Sequence, residues 1–272
     1  MVRPSIAMTG TRPPMVPVTS LPGGAEMPMI GFGTWQLRGR TGRQAVLAAL
    51  RDGSRHFDTA TMYGNESEVG RALADSGLPR ESVFITTKLP SSKAGREHGT
   101  LAASLRALGT DHVDLWLVHW PPSSGRQLCQ VWREFLALRD EGKARAIGVS
   151  NYSLAQIDRL TEATGVSPAV NQISWSPARY DAALLAGHRE RGVALEGYSP
   201  LKGANLADPV LTDIATAHGV TPAQVVLRWH LEHGITVIPK SSHPDRIAAN
   251  IDVLGFTLTP DQVAKIDALS RR

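Results

Sequence analysis

A carboxylate, a phenol, an ammonium and an imidazole stand at the ends of three short apolar runs. Asp58 and Tyr63 lie in "HFDTATMYGNE" (56–66), Lys88 in "TTKL" (86–89) and His119 in "LVHWPP" (117–122). Singly, each has a plain structural use. Asp58 can cap a helix and Tyr63 can cover apolar surface, while a strand-end lysine is commonly a solvated charge and a histidine a hydrogen-bonded structural group. Together they make a proton donor. A phenol titrates near pH 10, too high for easy proton transfer at neutrality. A nearby ammonium favours the phenolate and lowers that value, one unit charge at about 4 Å and an effective dielectric of about 20 being worth roughly 4 kcal/mol. Asp58 can hold the Lys88 ammonium in place and keep it charged despite burial. His119 can hydrogen-bond the oxygen that the phenol serves. Such a set suits a developing alkoxide, the need of carbonyl reduction. No side chain supplies hydride, so a cofactor must.

These groups meet only if the runs before them end on one face. The chain alternates strand-like and helix-like segments from about residue 18 onward. "VTSLPGGAEMPMIGFGTW" reads as a hairpin about Pro22-Gly23-Gly24 leading to a first strand near 29–32. Helices follow over 41–52, 65–76 and 97–108, with the strands "RHFDT", "SVFITTKL" and "HVDLWLVHW" between and after them. The helix "LCQVWREFLALRDEG" precedes the strand "ARAIGVSN", "SLAQIDRLTEATG" precedes "PAVNQIS", and "YDAALLAGHRERG" precedes "VALEGYSPL". The helix "TPAQVVLRWHLEHG", the strand "ITVIPKS" and the helices "PDRIAANIDVL" and "TPDQVAKIDALS" complete the pattern. Repeated βα units imply a parallel sheet, and their number fits a (β/α)8 TIM barrel of the α/β class, here with an N-terminal β-hairpin and a short C-terminal helix. A doubly wound sheet is the competitor, but "GFGTWQ" lacks the third glycine of a dinucleotide fingerprint. Barrel active sites lie at the C-terminal strand ends, where all four groups fall.

Length and composition agree with one enzyme-sized domain. The chain has 272 residues, 42% hydrophobic and 20% charged, with residues 18–272 expected as the barrel and 1–17, rich in proline, as a disordered extension. Met8 or Met15 could equally be the natural start. The formal charge is +4, yet lysine and arginine form no run or stripe, so nucleic acid is not expected as a partner. No apolar stretch reaches the roughly 20 residues of a membrane span. A single cysteine, Cys129, allows no disulfide framework or thiolate zinc site, and suits a reducing, cytoplasmic setting. Cys129, Trp132, Trp175 and Trp229 read as packing residues. His230 and His233 in "HLEH" read as a solvated helix face, and no metal site is expected.

The motifs "GFGTWQL", "HFDTATMYGNE", "TTKL", "LVHWPP", "GVSN", "NQ", "GYSPL" and "IPKSSHPDRIAAN", in this order, resemble the aldo-keto reductase superfamily from about Val18 to Ser270, and diketogluconate reductase-like bacterial members in particular. The resemblance implies an NADPH-dependent reductase of aldehydes and ketones, with Tyr63 as the acid and Asp58, Lys88 and His119 around it. It implies that Ser150, Asn151 and Gln172 bind the nicotinamide carboxamide and that Tyr198 stacks on the ring. Ser199 and Leu201 would run over the pyrophosphate, with Gly33, Thr34 and Trp35 against the cofactor. Lys240, Ser241, Ser242, Arg246 and Asn250 would surround the adenosine end. A cation, hydroxyls and a guanidinium independently suit a 2′-phosphate. Trp35 and Trp120 would wall the substrate pocket.

Departures from that pattern carry expectations of their own. Ala249 replaces a common acidic residue, Pro90 a tryptophan and Lys202 a glycine; Lys202 either adds a cation near the pyrophosphate or faces water. The chain stops at "ALSRR", which leads to the expectation of an open pocket with broad selectivity for small carbonyl compounds. A monomer is expected. Two other readings compete: a non-catalytic NADPH-binding regulatory protein on the same fold, and a metal-dependent barrel hydrolase.

Overall fold

The structure, a computed structural model, describes residues 16–271. Residues 1–15 of the expected extension lie outside the described residues. Val16 packs against Ile30 and its neighbours, and the Pro17 carbonyl accepts a hydrogen bond from Met29 N–H.

Strands β1 (Val18–Ser20) and β2 (Glu26–Pro28) form the antiparallel hairpin, with Thr19 opposite Met27. Its turn needs the left-handed conformations of Gly23 and Gly24, at φ 90° and 83°, which a side chain would resist. Leu21 and Met27 project into a cluster with Phe84, Leu115, Leu117 and Val170, so the hairpin plugs the end of the barrel away from the strand tips.

Eight parallel strands follow in sequential spatial order: β3 (Phe32–Gly33), β4 (His56–Asp58), β5 (Phe84–Leu89), β6 (Val113–Val118), β7 (Ala144–Ser150), β8 (Val170–Ser174), β9 (Ala194–Tyr198) and β10 (Thr236–Ile238). The cylinder closes where Gly31 N–H donates to Val237 O and Val237 N–H to Met29 O, both at 2.9 Å. Strand β10 stops before Pro239, which has no N–H to continue a ladder.

The helices are α1 (Gly39–Arg51), α2 (Glu66–Ser76), α3 (Glu97–Leu108), α4 (Gly125–Asp140), α5 (Leu154–Thr164), α6 (Ala182–Glu190), α7 (Pro209–His218), α8 (Pro222–Glu232), α9 (Pro244–Ile251) and α10 (Pro260–Asp267). Capping boxes start α5 (Ser153/Gln156), α8 (Thr221/Gln224) and α10 (Thr259/Gln262), satisfying backbone donors that each helix start leaves open. Helix α7 is absent from the sequence reading. Its signals are present nonetheless: Asp208 caps Val210 N–H, Pro209 takes the first turn, and Leu211, Ile214 and Ala215 fall on one buried face.

The outer core lies between strands and helices. Trp116 of β6 and Phe135 of α4 stack with ring centroids 3.8 Å apart and planes within 5°, both fully buried. Trp132, Trp175 and Trp229 are buried as expected of packing residues, and Cys129 packs half-buried against the same core. The expectation of a solvated "HLEH" face is wrong. His230 is fully buried, bonded to Val226 O at 2.8 Å, because α8 lays that face on the barrel near Trp175. His233 pairs instead with Asp267 at 2.8 Å.

Phe135→Ala removes a stacked, fully buried ring and should cost about 3–5 kcal/mol of unfolding free energy, read from denaturant titration. Burial, opposed by its bonds to Val226 and Trp175, pulls His230 down to about 4, and burial likewise lowers His56 and His188. The unfolded chain therefore takes up protons that the native state refuses as pH falls below about 6.5. The part of the stability due to these histidines should be complete above that pH and fall toward pH 4, His230 alone contributing up to about 3 kcal/mol. A His230→Gln variant whose unfolding midpoint follows the same course from pH 7 to 5 as the wild type would contradict this.

Candidate active site

Asp58 ends β4 and Lys88 sits near the end of β5, so the two groups rise from adjacent strands. Lys88 is fully buried, its Nζ 2.6 and 2.7 Å from the two Asp58 oxygens and 2.9 Å from the Thr59 carbonyl. All three ammonium hydrogens thus have acceptors, which a buried cation requires. Burial pulls the Lys88 pKa down, but Asp58 and Tyr63 outweigh it and hold the lysine above its ordinary value.

Tyr63 closes a 3₁₀ turn over Thr61–Tyr63 that leaves through Gly64 at φ 64°. The turn is pinned on several sides. Thr61 Oγ1 donates to Lys88 O at 2.9 Å and Arg38 Nε to Tyr63 O at 3.2 Å. Asn65, buried, donates to both Thr34 O and Leu37 O at 2.8 Å and accepts from Thr59 Oγ1 at 2.8 Å. The sequence reading missed Asn65 as a clasp; its signal was an amide directly after the turn glycine.

The phenol ring lies 5.2 Å from the Lys88 nitrogen and meets the His119 ring edge-to-face, centroids 5.8 Å apart. Here the expected lowering of the phenol is corrected. Burial raises Tyr63, and the pull of Lys88 offsets only part of that. His119 is driven down to about 4 by burial and by the Lys88 charge, so it is neutral at physiological pH. Its Nδ1 is buried without a hydrogen-bond partner among the described residues.

Tyr63, His119 and Asp58 floor a cavity of about 560 Å³, with Lys88 buried beneath it. Of the expected cofactor residues, Gly33, Trp35, Ser150, Asn151, Gln172, Tyr198, Ser199, Leu201 and Lys240 line it. At Gly33 an added Cβ would stand 3.0 Å from the Ile238 carbonyl, so β3 approaches β10 closely there. Gln172 Nε2 donates to Asp58 Oδ2 and to Glu196 Oε2, both at 2.8 Å, which commits its N–H groups and turns only its carbonyl toward other partners. Tyr198 OH donates to Asn151 Oδ1 at 2.9 Å, and Ser150 Oγ to Gln172 O at 2.8 Å. Thr34 is fully buried, its hydroxyl on Asp58 O at 2.9 Å, below the cavity wall.

Ser241, Ser242, Arg246 and Asn250 lie beyond the cavity on the segment after β10 and on α9. Ser242 and Arg246 are exposed, as is Lys240; Ser241 is buried and accepts from His243 N–H at 3.0 Å. The rim is open: Trp35, Trp120 and Met62 expose 54%, 48% and 58% of their surface. Met62, Gln36, Pro200 and Pro239 line the cavity and were not anticipated. Among the described residues, the non-glycine positions with positive φ are Gln36, Asn151 and Ser199, all in that lining.

Known proteins resemble this chain along nearly its whole length. The 2,5-diketo-D-gluconic acid reductase B of a Corynebacterium species is 45% identical over 263 residues, covering 95% of each chain. The crystal structure of an aldo/keto reductase from Brucella melitensis superposes with a TM-score of 0.91 at 42% identity, covering 94% of this chain and all of that one. An aldo-keto reductase of Bombyx mori, solved in complex with NADP, superposes at 0.87 with 32% identity over 95% and 94% of the two chains. The aldo/keto reductase family profile matches residues 29–271, and the chain belongs to that family.

Proposed function

We propose that the protein reduces aldehydes and ketones to alcohols with NADPH, Tyr63 giving the proton. The observation that carries this reading is the convergence of Tyr63, Asp58 and His119 on the floor of one open cavity, with Lys88 buried beneath them against Asp58 and the Tyr63 ring. The relatives in which a bound NADP is named support the choice of cofactor. The cavity fits its nicotinamide end. The Tyr198 ring forms a wall, and the side-chain carbonyl of Gln172 accepts no hydrogen bond from the described residues, leaving an acceptor for a carboxamide N–H. Lys240 and Lys202 bring cations to the rim, favourable for phosphate groups. Exposed Lys240 and Ser242 precede α9 and Arg246 lies in its first turn, whose dipole favours anions and which also carries the acidic Asp245. When bound, the cofactor supplies hydride.

The chain's own part is proton donation and charge stabilisation. A carbonyl oxygen placed between Tyr63 and His119 meets a phenol and a neutral imidazole. As negative charge develops on that oxygen, Tyr63 delivers its proton and His119 donates a hydrogen bond. Lys88 then stabilises the phenolate left behind, and Asp58 holds Lys88 where it can. Trp35, Met62 and Trp120 offer an apolar, uncovered rim, which suits small carbonyl compounds of varied shape over one tightly enclosed substrate. We propose further that the protein works as a cytoplasmic monomer. No helix among the described residues is long and apolar enough to cross a membrane.

Tyr63→Phe should lower kcat for carbonyl reduction by about 10²–10⁴-fold while NADPH affinity, followed by fluorescence quenching, stays within a factor of about two. Unchanged turnover would remove Tyr63 from the reaction. Lys240→Ala and Arg246→Ala should each weaken NADPH binding by about 10- to 100-fold, the worth of one charge-assisted bond. NADH binding should hardly move; equal losses for both cofactors would place the two cations away from the 2′-phosphate.

A further inference from the structure

The polar network beneath Asp58 contains a group with no role in the chemistry above. Glu196, on β9, is fully buried and in register with Gln172 of β8 and Thr236 of β10. Its Oε2 accepts from Gln172 Nε2 at 2.8 Å, and the same amide nitrogen donates to Asp58 at 2.8 Å. One neutral amide therefore bridges two carboxyl groups in the barrel interior.

The hydrogens available cannot satisfy two carboxylates. Lys88 spends all three on Asp58 and Thr59, so none reaches Glu196. The second Glu196 oxygen, Oε1, has no hydrogen-bond partner among the described residues, and its neighbour is His56 Nε2 at 3.5 Å. His56 Nδ1 lies 3.0 Å from the Pro28 carbonyl, an acceptor only, so Nδ1 carries the ring hydrogen and Nε2 presents a lone pair. That lone pair also lies 3.2 Å from the Thr86 hydroxyl. An ionised Glu196 would set its charge against this lone pair; a protonated one would point its hydrogen at it.

The groups facing Glu196 are His56 and Asp58 from β4, Lys88 and Thr86 from β5, Gln172 from β8 and Thr236 from β10. They include one ammonium and one other carboxyl. With His56 neutral, the cluster balances only when one of its two carboxyls keeps a proton, and Asp58 is the one that holds the cation.

We propose that Glu196 is a neutral carboxylic acid in the working enzyme and acts as a positioning residue, leaving Asp58 as the only anion under Lys88 so that the ammonium's field serves Tyr63. The role at Tyr63 rests on the function proposed above; the protonation itself does not. Burial and the Asp58 charge, opposed by Gln172 and Lys88, push Glu196 up to about 8. Loss of its proton adds a second negative charge below Lys88, which disfavours the phenolate and makes Tyr63 a weaker acid.

Infrared spectra of the full chain, taken from pH 6 to 9.5, test the protonation directly. Glu66 is also raised by burial, so the wild-type minus Glu196→Gln difference isolates the group. A carboxylic-acid carbonyl band at pH 6 that bleaches with a midpoint near 8 is expected; its absence at pH 6 overturns the proposal. If the variant does not fold, a carbon-13 titration of side-chain-labelled glutamates in the wild type reads the same midpoint, and no glutamate titrating near 8 overturns it. The second readout is kcat/KM for carbonyl reduction. Between pH 6 and 9 it should fall roughly two- to tenfold through this ionisation, the range that a shift of up to about one pK unit in the acid allows. That inflection should vanish in Glu196→Gln. A band with identical pH profiles in both proteins overturns the positioning role. If neither protein reduces any carbonyl compound, the reductase reading falls while the band still decides the protonation.

Discussion

A lysine with no exposed surface has to be fully bonded or it will not stay charged. In this barrel that demand is met by three acceptors from two consecutive residues, the two oxygens of the Asp58 carboxylate and the Thr59 carbonyl. Much of the surrounding structure follows from keeping those acceptors in place. Strands β4 and β5 must sit in register, which the parallel ladder from His56–Phe84 to Asp58–Thr86 secures. The loop bearing Thr59 and Tyr63 must be held against the first and third barrel strands, which Asn65 and Thr61 accomplish through side-chain bonds to backbone carbonyls. The hairpin packs Leu21 and Met27 into the far end of the cylinder, away from the charged pair.

Burial does two opposite things to the groups around that pair. It raises the phenol, which weakens Tyr63 as an acid, and it lowers His119, which keeps the imidazole neutral. Sequence reasoning foresaw the ammonium's pull on the phenol but not the size of desolvation, because the depth of a side chain below a barrel mouth is set by loops from several strands at once. A neutral histidine beside a lysine is the electrostatically consistent arrangement, since a second cation there would compete for the same carboxylate.

What was legible in the sequence was whatever depends on order along the chain. The βα alternation gave the barrel, and strand-tip positions gave Asp58, Lys88 and His119. What escaped it depends on contacts across the barrel. Asn65 binds carbonyls of the neighbouring connection between β3 and α1, Met62 reaches the rim through the shape of a 3₁₀ turn, and Gln172 faces inward to two carboxyls distant in sequence. His230 failed for the same reason: its helix face is polar by letter and interior by packing. Helix α7 failed differently, since its cap, proline and apolar face were all readable. It lies between two elements already counted, where the barrel rhythm asks for one helix.

Among the described residues, most left-handed turns are made by glycine, for which that conformation is free of strain. The exceptions, Gln36, Asn151 and Ser199, come from three separate strand-to-helix connections and converge on one mouth. Each holds a bulkier residue in a backbone state costing of order 1 kcal/mol or more. The molecule thus concentrates its conformational tension at its entrance, and the relaxed scaffold elsewhere is what lets that entrance keep a shape its own backbone would not choose.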